Sequence, residues 1–345
     1  MVDYPEKIEN EQQLEELLST PGDELVGLMS KLDGDILILG ITGKIGPSLA
    51  AMAAKACERA GIRKNILGVS RHIDANLQRY LTNAGVASVH GDLLDIEFLK
   101  SLPSFKNVFY LAGMKFGSGE NLPLTWAINA FLPGLVAGHF RNSRIVAFST
   151  GCVYPFVPVS SGGSTEADAV SARGEYAQSC IGRERMFEYG SNNYGTATIL
   201  IRLNYSAEMR YGVLVDIGQK VLSGQPVDLT TGYFNVIWQG DMNDFVLRSI
   251  EYASSPAAVL NITGPEILSV RDTALKFGEL FGVSPVFKNN EAPNALLNNS
   301  SKAFEYFGRP HVEAAQVIRW TAEWLKSGGR IYGKPTHFEV RDGNY

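Results

Sequence analysis

Three glycines spaced three residues apart are the residues of this chain best suited to a defined chemistry: Gly40, Gly43 and Gly46, in the stretch GITGKIG. Glycine lets the backbone turn tightly after a strand, and it lets a diphosphate approach the amides at a helix N-terminus, where the dipole favours anions. The spacing is GxxGxxG rather than GxGxxG. The motif therefore indicates nucleotide binding only in combination with the apolar run before it and the helix-like segment after it. The stretch predicts a nucleotide-binding loop that includes Lys44 and Ile45, with an ordinary glycine turn as the alternative.

The end of the second predicted strand bears on which nucleotide binds. A carboxylate there usually takes the adenosine ribose hydroxyls of NAD, but this chain has Ser70 and Arg71 instead. A hydroxyl and a guanidinium suit a 2′-phosphate, so NADP is favoured over NAD, unless Arg71 stacks on the adenine or is solvated. Asp92 and Leu93 follow the third strand and are placed to meet the adenine, with a helix cap as the alternative role for Asp92.

Candidates for substrate contact follow the sixth predicted strand: Tyr205, Arg210 and Tyr211. An arginine at this place would suit a carboxylate or a phosphate, and a structural salt bridge is the alternative.

The elements that must position these residues alternate between strand and helix. Strands are predicted at 36–39, 65–70, 86–90, 107–112, 144–149 and 196–203. Helices are predicted at 47–60, 75–83, 124–141 and 175–191. This alternation requires right-handed βαβ crossovers and predicts an α/β fold with a doubly wound parallel sheet. A ligand is expected at the carboxyl ends of its strands.

The division into domains is predicted from where this alternation begins and ends. Residues 1–32 read as an N-terminal helical extension of one or two short helices, and residues 33–205 as the nucleotide-binding domain. Residues 229–263 are expected to return to that domain, with a late strand at 259–263. Residues 206–228 and 264–345 then form a smaller, mostly helical substrate-binding domain. The polar C-terminal stretch KPTHFEVRDGNY is expected to be a surface tail, with folding over the pocket or covering a partner subunit as the alternatives.

Composition excludes several function classes. The net charge of −5 is unlike a nucleic-acid-binding protein, and no apolar run reaches the roughly 18 residues of a membrane span. The three cysteines have no paired spacing and the five histidines are scattered, so neither a disulfide framework nor a metal site is expected. Together with the acidic, polar N-terminus, these features predict a cytoplasmic protein with a small-molecule partner.

The motifs together resemble those of a known family. The glycine stretch is followed by Leu111, Ala112 and Gly113, by Asn129, by the strand end STGCVY (149–154), and by a tyrosine in GEYAQSC that opens a helix. This series resembles the extended short-chain dehydrogenase/reductases, and within them the sugar epimerase/dehydratase group. The segment LAGMKFGSGE is similar to the corresponding one in UDP-galactose 4-epimerase. The resemblance covers about residues 33–265 and implies an NAD(P)-binding Rossmann fold.

The resemblance also implies roles by position. Tyr176 stands where the family keeps its general acid/base, and Thr150 where a hydroxyl hydrogen-bonds the substrate oxygen, with Ser149 preceding it. Cofactor contacts are implied for the remaining motif positions: Leu111, Ala112, Gly113, Lys115, Asn129, Leu203 and Asn204. The implied activity is redox chemistry at a sugar-like secondary alcohol, by an epimerase, a dehydratase or an oxidoreductase. A homodimer through the helices at 124–141 and 175–191 is the family-like expectation.

One departure from the family pattern concerns the catalytic tyrosine. The family has YxxxK, whose lysine lowers the pKa of the tyrosine, but here the fourth residue after Tyr176 is Cys180. Another cation could take the place of that lysine: Lys115, which is favoured, or Arg183 or Arg185. Otherwise the site runs chemistry that needs less tyrosinate, or the protein is a non-catalytic NAD(P)-binding sensor or scaffold. Cys180 is also a candidate nucleophile, although a small buried thiol is the commoner case.

A second departure concerns the substrate. Nucleotide-sugar epimerases of the family often carry R-D-x-I-H-V-x-D, whose arginine grips the diphosphate, whereas this chain has FNVIWQGD, with Phe234 and Trp238 in place of the arginine and the histidine. This disfavours a UDP-sugar and makes a free sugar, a sugar acid or another small polyol-like ligand at least as good a candidate. Trp238 could stack on a sugar face.

Overall fold

A seven-stranded, fully parallel sheet lies at the centre of the computed structural model, which describes residues 4–115 and 117–343. Its strands are β1 (Ile36–Leu39), β2 (Ile66–Ser70), β3 (Ala87–His90), β4 (Asn107–Tyr110), β5 (Arg144–Thr150), β6 (Thr198–Leu203) and β7 (Ala258–Ile262). They lie in the order β3-β2-β1-β4-β5-β6-β7, with every neighbouring pair parallel. This is the doubly wound order whose switch point, between β1 and β4, opens a crevice at the carboxyl ends of the strands.

Helices cover both faces of the sheet. The N-terminal pair is α1 (Glu11–Leu18) and α2 (Asp23–Lys31), and the crossover helices are α3 (Gly46–Arg59), α4 (Ala75–Asn83), α5 (Ile96–Ser101), α6 (Leu122–Trp126), α7 (Leu132–His139) and α8 (Gly174–Tyr194). The later helices are α9 (Val213–Leu222), α10 (Gln239–Arg248), α11 (Val270–Phe281), α12 (Ser301–Phe307) and α13 (Ala314–Lys326).

The central strands are apolar on both sides because each side meets helices. Ile36 and Ile38 pack with α2, α3 and α10 in one core cluster, whereas Leu37 and Leu39 pack on the opposite face with α7 and α8. All four residues are fully buried. Continuous apolar runs of this kind are expected where helices cover both faces of a parallel sheet.

The predicted α/β fold is confirmed, and the predicted elements differ from the observed ones mainly at their ends. The helix predicted at 124–141 begins instead at Leu122 and contains a π-helical turn, Ala127–Phe131, between α6 and α7. Helix α5 was not predicted because it spans six residues and buries a single leucine, Leu99. Asp95 caps it by accepting from the amides of Glu97 and Phe98.

A second core cluster lies outside the sheet and joins distant parts of the chain. It packs α1 against α9, α11 and α13, together with Trp238 and Phe338. Helix α2, in contrast, packs on the sheet with α3 and α10. Residues 229–263 supply both the edge strand β7 and α10. The proposed division into domains stays a prediction.

The C-terminal segment does not form the surface tail that was expected. Thr336 and Phe338 are buried, and Phe338 belongs to the second core cluster. The amide and the hydroxyl of Thr336 both donate to the carboxylate of Asp216, at 2.7 and 2.6 Å. The segment is therefore bound to the body of the protein at Thr336 and Phe338. Among the described residues, no helix combines the length and the apolar character needed to cross a membrane.

Candidate functional site

The glycine loop between β1 and α3 has three glycines with three different functions. Gly40 has φ +92°, and a Cβ there would lie 2.6 Å from the backbone nitrogen of Ala112. A Cβ on Gly46 would overlap the carbonyl oxygen of Ile41. Gly43 has more space, since the nearest atom to an added Cβ is the carbonyl oxygen of Gly40 at 3.5 Å. Gly40 and Gly46 thus permit the turn and the close packing, and Gly43 leaves room for a phosphate at the start of α3.

A cavity of about 220 Å³ extends from this loop across the ends of β1, β2 and β4. The predicted cofactor residues that line it are Gly40, Gly43, Ser70, Arg71, Asp92, Leu93, Leu111, Ala112 and Gly113. The Ser70 hydroxyl is hydrogen-bonded to that of Thr42 at 2.6 Å, and Arg71 is exposed at the rim. The position at the strand ends and the glycine cradle fit the adenosine and diphosphate part of a dinucleotide.

Two carboxylates near this cavity act as local caps. Asp92 accepts a hydrogen bond from the amide of Leu94 at 3.0 Å, although it also lines the cavity. Asp74, the first acid after β2, accepts from the amides of Asn76 and Leu77 and does not belong to the lining. The end of β2 therefore presents a hydroxyl and a guanidinium to the cavity, as the sequence indicates.

A second cavity, of about 270 Å³, adjoins the first and shares Leu111 and Gly113 with it. The predicted site residues that line it are Lys44, Ile45, Lys115, Ser149, Thr150, Tyr176, Leu203, Asn204 and Tyr205. Cys152, Thr336, Arg183 and Tyr211 line it as well. Together the two cavities form one groove along the carboxyl ends of the strands, which is where a parallel sheet binds its ligands.

The end of β5 and the start of α8 bring two hydroxyl groups to this second cavity. Thr150 is the last residue of β5, and its side chain accepts from the amide of Cys152 at 3.2 Å. Tyr176 lies in the first turn of α8 and is half-buried. Ser149 is different, because its hydroxyl donates to the buried carboxylate of Glu184 at 2.5 Å. Ser149 therefore supports the strand end rather than offering a hydroxyl to a ligand.

The side chains of Tyr176 and Cys180 pack together in a small core cluster. Burial raises the pKa of Tyr176 well above its ordinary value, and the neighbouring Cys180 and Cys152 raise it further. Burial likewise raises the pKa of Cys180, whose side chain is fully buried. A protonated, enclosed thiol is a poor nucleophile, so Cys180 is corrected from a candidate nucleophile to a neighbour that packs against Tyr176.

The three cations proposed to replace the family lysine occupy different places. Arg183 is buried one helical turn beyond Cys180, donates to the carbonyl of Phe148 at 2.9 Å, and lowers the pKa of Tyr176 by its charge. The Lys115 ammonium lines the cavity and donates to the carbonyl of Thr336 at 3.4 Å. Arg185 is excluded, because it is exposed and pairs with Glu188.

Asn129 supports the structure around the site and does not face the cofactor cavity. It is fully buried in the π-helical turn and lies in the lining of neither cavity. Its amide accepts from the backbone nitrogen of Met114 at 2.8 Å and donates to the carbonyl of the same residue at 2.9 Å. It also bonds Ser179 and Arg183 of α8. Asn129 therefore holds the loop after β4 against the helix that carries Tyr176, and π-helical turns are often found at such functional positions.

Lys44 contributes its side chain as well as its backbone. Its ammonium crosses from the glycine loop to the second cavity, donates to the carbonyl of Ser206 at 2.7 Å and lies 4.7 Å from the ring centroid of Tyr211. Burial lowers the pKa of Lys44 to about 8.

Two predicted substrate residues lie outside the groove. Arg210 is buried and donates to Glu208 at 3.1 Å and to Glu15 at 2.5 Å, so the structural salt bridge is its observed role. Trp238 is buried in the second core cluster, with its ring 5.2 Å from that of Trp320, and cannot stack on a ligand. Because neither side chain lines either cavity, both expectations are corrected.

Tyr205 does lie in the cavity lining, and its backbone is unusual. Its φ is +44°, in the left-handed region that aromatic residues rarely adopt. Its carbonyl accepts from the amide of Ile237 at 3.1 Å, which helps to hold this conformation. Strained backbone of this kind is concentrated at functional sites.

Cys152 and Thr336 are two of the lining residues that the sequence analysis missed. Cys152 lies inside the strand-end motif, between Thr150 and Tyr154, and that position was available as a signal. Thr336 lies in the C-terminal segment, which has no periodicity to place it, and folding of this segment over the pocket was only the alternative expectation.

Comparison with known proteins agrees with this geometry. The model of the NAD dependent epimerase/dehydratase family matches residues 36–229, which is more than half of the chain. The protein therefore belongs to this family of NAD-dependent enzymes. No curated protein matches the sequence significantly.

Solved structures share the fold at low sequence identity. One is UDP-glucose 4-epimerase from Thermotoga maritima with UDP-glucose, at a TM-score of 0.70 and 18% identity, over 85% of this chain and 99% of that one. Another is UDP-glucuronic acid 4-epimerase from Bacillus cereus in complex with NAD, at a TM-score of 0.69 and 17% identity, over 85% and 99% of the two chains. At these identities the likeness establishes the fold alone.

Proposed function

We propose that this protein transfers hydride between a nicotinamide dinucleotide and a secondary alcohol of a sugar or sugar-acid-like substrate. The main observation in support of this proposal is that Thr150 and Tyr176 line one cavity, which is continuous with the cavity above the glycine loop. A bound nicotinamide dinucleotide would supply the hydride acceptor. The overall reaction would be an epimerisation, a dehydration or a simple oxidoreduction.

The proposed proton chemistry depends on Tyr176 and the charge of Arg183. Thr150 would orient the substrate oxygen by a hydrogen bond, and the Tyr176 phenol would exchange a proton with that oxygen. Since the pKa of Tyr176 is raised by burial, the phenol is protonated at neutral pH before a ligand binds. The Arg183 guanidinium opposes that rise and is the better supported replacement for the family lysine. Lys115 is proposed instead to contact the ligand.

The proposed cofactor is NADP or NAD, with NADP slightly favoured. Ser70 and Arg71 at the adenosine end suit a 2′-phosphate, and Asp74 is engaged in capping α4. The Bacillus cereus neighbour is described in complex with NAD, which is a property of that protein.

A second candidate function is a dinucleotide-binding sensor or scaffold that has lost the redox step. The observation favouring it is the buried Cys180 thiol at the position of the family lysine, next to a tyrosine with a raised pKa. This candidate predicts cofactor binding without any substrate-dependent change in absorbance.

The assembly is proposed to be a homodimer through the α6–α7 segment and α8. Large apolar side chains are exposed on both: Trp126 and Phe131 on the first, and Tyr189 on α8. These helical segments already pack against each other within one chain. The substrate is proposed to be a small molecule rather than a nucleic acid, and a cytoplasmic location stays a prediction.

The deciding experiment is to denature the purified protein and identify any released dinucleotide by mass and by its absorbance. Stoichiometric NAD or NADP would support an enzyme that recycles its cofactor within one turnover, as an epimerase or a dehydratase does, and would identify which dinucleotide is bound. If no dinucleotide is released, titration with NAD and NADP follows. Failure to bind either one would refute the hydride-transfer proposal.

A further inference from the structure

The C-terminal segment does more than fill the second core cluster. Residues 336–343, here called the C-terminal strap, run from the second cavity to the start of α8. Thr336 lines the cavity, and its carbonyl accepts from Lys115 at 3.4 Å. At the other end Gly343 lies against Gly174, the first residue of α8, two residues before Tyr176. The strap lies outside residues 36–229, so the match to the family does not account for it.

The first half of the strap is fixed to the second core cluster. Phe338 is buried there, with its ring 6.3 Å from that of Phe234. The carboxylate of Glu339 accepts from Lys220 at 3.0 Å, and its carbonyl accepts from the hydroxyl of Thr231 at 3.2 Å. These contacts, with those of Thr336, hold the first half whatever happens to the second half.

The second half holds the chain that follows the end of β5. One terminal nitrogen of Arg341 donates to the carbonyl of Asn294 at 3.0 Å, and the other donates to the side-chain oxygen of the same residue. The guanidinium lies 4.2 Å from the ring centroid of Phe156, which follows the strand-end motif. The next residues, Val157–Pro158, pair antiparallel with Asn294–Ala295. Arg341 therefore joins both sides of this short pair to the strap.

Two glycines then bring the strap into direct backbone contact with α8. Gly174 has φ +78° and Gly343 has φ +90°. A Cβ on Gly174 would lie 2.1 Å from the carbonyl oxygen of Gly343, and a Cβ on Gly343 would lie 2.6 Å from the carbonyl carbon of Arg173. Glycine at both positions permits the left-handed backbone and this close approach. The strap therefore packs against the first turn of the helix, which is the turn that carries Tyr176.

We infer that Arg341 and Gly343 are positioning residues, which set the place of Tyr176 relative to Thr150. Thr150 precedes the segment that Arg341 holds, and Tyr176 follows the residue that Gly343 contacts. A displacement of reacting groups by about 1 Å is enough to slow a reaction strongly, so such support matters for catalysis. This inference rests on the proposed function, which assigns Thr150 and Tyr176 their roles.

The first test is amide hydrogen exchange of the full chain, followed by mass spectrometry. In Gly343→Ala we expect exchange about 10-fold faster in peptides covering residues 155–158 and 174–180, and unchanged exchange in β1. The matched control is Gly195→Ala, at the opposite end of α8. Gly195 also has a positive φ, +73°, but no atom of the described residues lies within 4 Å of an added Cβ. The control therefore introduces the same backbone strain without breaking a contact.

The second test reports on the cavity itself. Cys152 lines it and is partly accessible, whereas Cys57 and Cys180 are buried. Alkylation of Cys152 by iodoacetamide is expected to be about 10-fold faster in Gly343→Ala and Arg341→Ala, because the wall around this thiol is held less firmly. Arg341→Lys should restore a rate close to that of the wild type, since an ammonium can still donate to the carbonyl of Asn294. Cys152→Ser gives the background rate.

Titration with NAD and NADP separates the inference from the proposed function, because the glycine loop does not contact the strap. Wild-type exchange at residues 174–180 in Gly343→Ala, or wild-type alkylation of Cys152 in both variants, would overturn the inference while dinucleotide binding leaves the proposed function standing. Faster exchange in β1 together with alkylation of Cys57 would also overturn it, since the strap would then support general stability rather than position. Failure of the wild type to bind either dinucleotide would instead refute the proposed function, and this inference with it.

Discussion

The two halves of the groove are built in different ways. The half above the glycine loop is lined by residues at the carboxyl ends of β1, β2, β3 and β4, all within residues 40–113, apart from two side chains of the α6–α7 segment. The other half gathers side chains from the ends of β5 and β6, the start of α8, residues 205–213, and Thr336 near the C-terminus. The first half is therefore a local property of the sequence, whereas the second exists only once the whole chain has folded.

This difference has a chemical counterpart. Backbone amides around Gly43 can bind any diphosphate, so this half of the groove is suited to a common cofactor. The residues that face the second cavity are chemically diverse, and they include two lysines, one cysteine and three tyrosines. Specificity for a particular substrate must come from this half, where the chain also departs from its family at Cys180.

The largest expected effects come from replacing each of two loop glycines, Gly46 and Gly43, by alanine. In Gly46→Ala the new Cβ overlaps the backbone oxygen of Ile41, so we expect a loss of about 3 kcal/mol or more in the free energy of unfolding. In Gly43→Ala the nearest atom is 3.5 Å away, so we expect a loss of less than about 1 kcal/mol but roughly 10-fold weaker dinucleotide binding. Urea denaturation and cofactor titration measure the two effects separately.

Equal destabilisation by the two substitutions would show that the loop is an ordinary glycine turn. Unchanged cofactor affinity in Gly43→Ala would show that the diphosphate does not approach this residue.

The second prediction concerns the other half of the groove. Tyr176→Phe removes the hydroxyl that would exchange the proton, so we expect turnover to fall by a factor of about 10² to 10⁴. Cofactor affinity should change less than about 2-fold, because the ring that lines the cavity is retained. The measurement compares steady-state rates with cofactor titration on the same preparation.

A matched control is Tyr189→Phe, which changes an exposed tyrosine of the same helix. Full activity in Tyr176→Phe would remove the tyrosine from the chemistry and favour the view that the site runs a different reaction.

The accuracy of the predictions made from the sequence also differs between the two halves of the groove. The strand Ile36–Leu39 and the helix Ala75–Asn83 have the predicted bounds, because an apolar run between turns and a capped amphipathic segment are local signals. The glycine loop lines its cavity for the same reason.

The second half was predicted less well, because its members meet through tertiary packing. Arg210 follows the sixth predicted strand and Trp238 lies in the FNVIWQGD motif, yet Arg210 is held by Glu208 and Glu15 and Trp238 packs against Trp320. Thr336 reaches the groove only because Asp216 and the core around Phe338 hold the C-terminal segment in place. The sequence around these residues gives no indication of such tertiary partners.

The third prediction tests whether Arg183 replaces the family lysine. Its charge lowers the pKa of Tyr176, so Arg183→Gln should raise that pKa further. If Tyr176 acts as a base, activity increases with pH as the phenol ionises, and the increase should move to higher pH in the variant. The pH dependence of kcat/KM measures this shift, which a purely structural loss would not produce.

The control for this substitution is Arg185→Gln, two residues further along α8, where the guanidinium is exposed and pairs with Glu188. Its pH profile should match that of the wild type. An unchanged profile in Arg183→Gln, at whatever rate, would leave Lys115 as the remaining candidate for the cation beside the tyrosine.

The smallest expected effect is at the adenosine rim, where Arg71→Ala should weaken NADP binding by about 10-fold and NAD binding by less than about 2-fold. The reason is that the exposed guanidinium could bond a 2′-phosphate, which NAD lacks, while the glycine loop binds the shared diphosphate in either case. Arg79→Ala, on the exposed side of α4, controls for a general loss of positive charge near the rim. Equal weakening of both dinucleotides would mean that Arg71 stacks on the adenine. In that case even the local half of the groove would recognise its ligand by shape rather than by charge.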